Sequence, residues 1–178
     1  EATADLHYRY DEYKVLSEGL NERRSLKINK LDCNFESPNL KNKISKVMSI
    51  ERLKETRALV GFSRIVPESS SGCANKESLL RLSEPPPNNH WLPATEVFGE
   101  GLFIQFSEQE LLKWEANDSV VCAAESLQDE YDSLERKEKE ISPRFVMIHT
   151  FAHILMDQMI FDCGYSSASL RERLYVST

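Results

Sequence analysis

The chain has 178 residues, of which 40% are apolar, and a net charge of −7; this is enough for one domain with a core, or for part of a larger one. No run of about 18 apolar residues is present, which argues against a membrane-spanning helix, and the acidic balance excludes a uniformly basic nucleic-acid binder. Cys33, Cys73, Cys122 and Cys163 lie far apart with no CxxC pair, so neither a compact disulfide scaffold nor a complete zinc ribbon is expected. A reduced, cytoplasmic protein is the simpler expectation. The first residue is Glu1 rather than methionine, which suggests a cut N-terminus and leaves room for a lost leader.

In chain order, "LHYRYDEYKVLSEGL" spaces Tyr10, Tyr13 and Leu16 at three-residue steps and ends in Gly19. This predicts a short helix with a glycine stop. The stretch to about Ser49 is polar and lysine-rich with "SPN" inside it, and reads mostly as loop. "LKETRALVGFSRIV" suits a strand, bulged at Gly61. Residues 67–90, with "ESSSGCANKES" and "EPPPNNH", read as a linker or surface excursion.

"WLPATEVFGEGLFIQF" predicts a hairpin over 95–106 turning at Gly99-Glu100-Gly101. Ser107 is then expected to cap a helix with Glu110 reaching back to the cap amide, and Leu111, Leu112 and Trp114 to form its buried side. A long acidic helix from about Ser119 to Lys139 follows, with Leu127, Tyr131 and Leu134 as its apolar stripe. Ser142 caps the next helix and Pro143 takes its first position. "RFVMIHTFAHILMDQMIFDC" is apolar around most of its circumference, as in a core helix. Gly164 ends it, and Ser166 or Ser167 starts a short helix through "SASLRER". The chain stops in a strand-like stretch, a poor place for a domain to end.

Charge is unevenly placed. Asn21–Lys54 holds nine basic against four acidic residues, net +5, while Glu96–Ser142 holds four against thirteen, net −9. The basic segment is either a solvated lysine-rich face or a phosphate-tracking one, since screening confines such effects to about 8 Å in physiological salt. Lys41, Lys43 and Lys46 are its nucleic-acid candidates. Arg57 and Arg64 bracket the "ALVGFS" strand, and Arg171 and Arg173 flank Glu172. All four arginines are further candidates for phosphate contact, with ordinary exposure or ion pairing as the alternative reading.

His149 and His153, four apart, share a helix face. Zinc peptidases use this spacing with a glutamate after the first histidine, where this chain has Thr150. Histidines satisfied by nearby backbone or acidic groups are the alternative, and the reading preferred here assigns both to structure, with Gly164 and Ser166. Cys163 lies roughly 15 Å along the axis from His153, so it ligates metal only with residues from elsewhere. No G-x-S-x-G elbow, phosphate loop or dinucleotide fingerprint is present. No catalytic set is found.

Three stretches together, "TRALVGFSRI", "WLPATEVFGEGLFIQFSEQELLKWE" and "ISPRFVMIHTFAHILMDQMIFDCGYSSASLRERLY", resemble the DrmB family, helicase-associated proteins of the bacterial DISARM anti-phage system. The similarity covers roughly Thr56 to Tyr175. It implies a non-catalytic accessory subunit that partners a superfamily 2 helicase (DrmA-like), which would supply the ATPase, and helps engage DNA. It also implies a family cysteine cluster suited to structural zinc, of which Cys163 is the one candidate ligand in this chain, and a longer protein of which this is the middle. The expected fold is α+β: a mixed or antiparallel sheet with a β-hairpin packed on a buried long helix. The expected organisation is 1–66 as helix, basic segment and strand, 67–90 as linker, and 91–178 as hairpin, acidic helix and the start of the helicase-associated domain. No membrane association or catalytic residue is expected. The competing readings are a metal-dependent hydrolase using His149 and His153, and a protein-interaction domain without nucleic-acid binding.

Overall fold

The computed structural model describes residues 2–22, 24–32, 35, 37, 39–59, 91–133 and 141–176. The class is α+β. Among the described residues, four helices and a short 3-10 turn accompany a three-stranded antiparallel sheet of order β1-β2-β3. The elements are α1 (Ala2–Glu18), β1 (Leu26–Leu31), β2 (Ile44–Ala58), β3 (Ala94–Phe106), α2 (Glu108–Glu115), α3 (Asp118–Ser133) and α4 (Pro143–Cys163), followed by the 3-10 turn Ser167–Ser169. Two compact units are present: 1–19 with 30–48 and 103–178, and 20–29 with 49–102. Both of the expected blocks, 1–66 and 91–178, contribute to each unit, and 67–90 lies outside the described residues.

In the first unit, α1 stops where Gly19 turns to φ 69°. Lys46 on β2 donates its Nζ to Ser17 O at 2.9 Å, a cation placed on the free carbonyls and partial negative charge of a helix C-terminus. Leu16, Met48, Phe103, Leu111 and Ala124 are buried here. Tyr13, Phe103 and Tyr175 form an aromatic trio with centroids 6.0–6.4 Å apart, the tilted spacing that ring quadrupoles favour. Phe106 meets Phe151 of α4 edge-on at 5.1 Å.

In the second unit, Ile28 and Ile50 are buried. Asn21 Oδ1 accepts from Ile28 N–H at 2.6 Å. Lys27 and Asn29 both reach Glu51 on β2, and Lys54 pairs with Glu96 on β3.

Several expectations are corrected. The polar stretch to Ser49 is not loop throughout: it contains β1 and the first six residues of β2. Leu26 and Ile28, on either side of Lys27, and further on Met48 and Ile50, on either side of Ser49, keep the two-residue alternation of half-buried strands. The 95–106 stretch is one continuous strand rather than a hairpin. Neither Gly99 nor Gly101 has positive φ, which a primed hairpin turn would require. Ser107 is the N-cap of α2 but makes no side-chain cap bond, and Glu110 pairs forward with Lys113 at 2.6 Å instead. Leu111 is buried, whereas Leu112 and Trp114 are exposed. The described part of the acidic helix ends at Ser133, and Leu127 on it is exposed while Tyr131 is half-buried. The expected strand bulge at Gly61 and the apolar position Leu134 fall outside the described residues.

Candidate functional site

α4 begins as its sequence dictates. Ser142 accepts from Phe145 N–H at 3.2 Å, Pro143 stands in the first turn, and Gly164 closes the helix at φ 72°. Arg144 anchors this first turn. Its guanidinium donates twice to Glu115 at 2.8 Å each and reaches Glu108 at 2.9 Å, with its side chain 13% exposed. The Glu115 hydrogen bond raises the Arg144 pKa further above its already high ordinary value, against the opposing effect of burial. No residue of α4 is fully buried, and Ile154 and Phe161 are exposed, so the expected core helix is apolar but only half-covered.

After α4 the chain turns at Ser166, which accepts from Ala168 N–H at 3.3 Å. The expected helix through "SASLRER" is one 3-10 turn only. The segment beyond it is pinned to α1: Arg173 gives two hydrogen bonds to Glu12 Oε2, at 2.8 and 2.6 Å, and Tyr175 Oη lies 3.2 Å from the same oxygen. Burial, then the Glu12 charge, pushes the Tyr175 phenol up to about 12.

With Arg173 directed to α1, its neighbour Glu172 meets α4. His149 Nε2 lies 3.3 Å from Glu172 Oε1, and His153 Nε2 lies 3.4 Å from Glu172 Oε2. The two Nε2 atoms are 3.2 Å apart. Phe145 stacks on His149 with centroids 5.5 Å apart and planes 13° from parallel. The histidine side chains are 42% and 53% exposed, and that of Glu172 is 27% exposed. Glu172 Oε2 is itself buried and has no hydrogen-bond partner. Among the described residues this is the one group of three such side chains close enough to share a metal ion. Cys163, the sequence candidate for zinc, is a free and exposed thiol outside that group. Glu172 lies between two arginines and belongs to no local metal motif; only tertiary structure brings it to the histidines.

The nucleic-acid candidates are dispersed. Lys41 and Lys43 are exposed on the turn before β2, where Asn42 has φ 67°. Lys46 and Arg173 are engaged within their unit, as above. Arg57 pairs with Glu55 at 3.1 Å, Arg171 is exposed, and Arg64 lies outside the described residues. The second unit has a shallow, open concavity lined by Arg24, Arg52, Lys54, Glu96 and Phe98. Its three basic residues belong to the segment of net +5 but are not among the sequence candidates within it.

No protein-family model matches the sequence. Over 137 residues, however, it is 36% identical to the DISARM protein DrmB of Bacillus paralicheniformis. The chain resembles DrmB. The match takes in 74% of this chain but 24% of DrmB, so the chain spans about a quarter of that relative's length. Among the described residues, no helix is long and apolar enough to cross a membrane.

Proposed function

We propose that this chain is part of a non-catalytic accessory subunit of DISARM-like anti-phage defence, which associates with a superfamily 2 helicase and helps engage DNA in the cytoplasm. The observation that carries this reading is the 36% identity to DrmB over most of the chain. Two features of the structure support its parts. The exposed Ile154 and Phe161 of α4 are apolar surface of the kind a partner covers. The Arg24–Arg52–Lys54 concavity, with Phe98 61% exposed on its wall, combines cations for phosphate with a ring on which a base can stack.

The test is co-expression with a DrmA-like helicase from the same genome, followed by size-exclusion chromatography. A joint peak that retains DNA in a salt-dependent manner is expected. Separate elution of the two proteins would remove the helicase association, and DNA retention unchanged by Arg24→Gln with Arg52→Gln would remove the concavity.

A further inference from the structure

Two imidazoles and a carboxylate converge in the first unit, and their spacing is informative. The two histidine Nε2 atoms stand 3.2 Å apart, and each faces a different oxygen of Glu172: Oε1 lies 3.3 Å from His149 and Oε2 lies 3.4 Å from His153. A zinc ion bound tetrahedrally at roughly 2.0–2.1 Å holds neighbouring donor atoms about 3.3–3.4 Å apart, whereas an octahedral ion at the same bond length would draw them to about 2.9 Å. The separation of the two nitrogens, and of each from the carboxylate oxygen it faces, lies nearer the tetrahedral value than the octahedral one.

The hydrogen bonding points the same way. Glu172 Oε2 is buried and unpartnered, although an imidazole nitrogen stands 3.4 Å from it. A buried carboxylate oxygen in that state is costly unless something positive satisfies it. Two Nε2 lone pairs directed at one another also repel, unless a proton or a metal ion lies between them. A zinc ion held between the two imidazoles and the carboxylate accepts both lone pairs and neutralises the carboxylate. Helix α4 supplies two ligands from one turn, the Phe145 ring braces the first imidazole, and the Arg173–Glu12 bonds fix the strand of chain that delivers the third.

We propose that His149, His153 and Glu172 form a zinc site, with both histidines neutral and bound through Nε2 and a water in the fourth position on the open side. This goes beyond the accessory-subunit reading and stands whether or not a helicase is bound. It also separates the metal from Cys163.

The test uses the 178-residue chain without a polyhistidine tag, stripped with EDTA and titrated with zinc against a chromophoric chelator. One zinc per chain is expected, with Cys163→Ala unchanged. Because loss of a mere supporting contact weakens metal sites by about 10–100-fold, His149→Ala with His153→Ala is expected to lose at least about 100-fold, and Glu172→Gln at least about 10-fold. Cobalt(II) in the unaltered chain should give the visible bands of a four-coordinate site with no thiolate charge-transfer absorption, a readout independent of whether the variants fold. Absence of zinc uptake, full retention by the double histidine variant, or a thiolate band lost in Cys163→Ala would each overturn the assignment.

Discussion

Arg144 grips Glu115 through two N–H···O bonds of equal length, 2.8 Å, and so ties the first turn of α4 to the last residue of α2. A bidentate guanidinium–carboxylate pair with little solvent access is among the stronger polar contacts a protein makes. Removing the cation would leave Glu115, 20% exposed, without it. Arg144→Ala is expected to lower the unfolding free energy by about 2 kcal/mol, read as a fall in urea midpoint. Arg144→Lys should restore less than half of this, since an ammonium cannot fork. An unchanged midpoint in both would show that the clamp adds nothing.

The glycines give a direct check on β3. Gly164 is left-handed at φ 72°, so Gly164→Ala should cost about 1 kcal/mol from the backbone alone; a Cβ there would meet nothing within 4 Å. Gly99 and Gly101 have open space around a would-be Cβ and no positive φ. Alanine at either is expected to be neutral or to stabilise by about 0.5 kcal/mol. Destabilisation above 1 kcal/mol at Gly99 or Gly101, measured by thermal or urea unfolding, would favour a turn over a continuous strand.

Tyr175 sets an alkaline limit. Its phenol is raised from 10.0 to about 12 by burial and by Glu12. Below pH 10 both folded and unfolded forms hold the proton, and the contribution to stability is fully present. Between 10 and 12 the unfolded chain loses its proton first, so stability falls as pH rises through that window. The side chain is only half-buried, and with solvent screening the loss should be about 1 kcal/mol. Tyr175→Phe should flatten the slope between pH 10 and 12, as read by chemical denaturation across that range. An identical slope in the variant would assign the loss to other groups.

The basic residues should separate into two kinds. Lys41→Gln with Lys43→Gln, both exposed, should leave stability within about 0.5 kcal/mol of the parent. If either lysine tracks phosphate, the salt dependence of DNA binding should lose about one unit of slope per contact. Lys46→Gln removes the donor to Ser17 O and should cost about 0.5–1 kcal/mol of stability. Should Lys46→Gln instead alter DNA binding with no change in stability, the helix-end role would be wrong.

Much of this architecture is legible locally. The α4 helix has its cap, its first-turn proline and its stop glycine in the order in which the helix needs them, and all three occupy those places. The fold class follows from the same signals. β1 and the start of β2 are harder to see, because Lys27 and Asn29 alternate with Ile28 in β1 and Lys46 shares the register of Met48 in β2, so composition outweighs alternation. The hairpin expectation fails on conformational grounds: two glycines around a glutamate permit a turn but do not compel one. The histidine pair is visible from its four-residue spacing. Its third member is not, since Glu172 reaches it only after the Gly164 stop and the Ser166 turn have reversed the chain.

The bonds from Arg173 and Tyr175 back to Glu12 have a consequence for synthesis. They join residues 161 and 163 positions apart, so α1 leaves the ribosome long before the groups that cover it exist. Closing so large a loop carries a slowly growing entropic cost but a substantial kinetic one. Until Tyr175 arrives, Tyr13 and Phe103 lack the third ring of their trio, and the first helix must wait with that side open to chaperones or to neighbouring nascent chains. The first unit therefore cannot close around its first helix until the far end of this stretch of chain has been made.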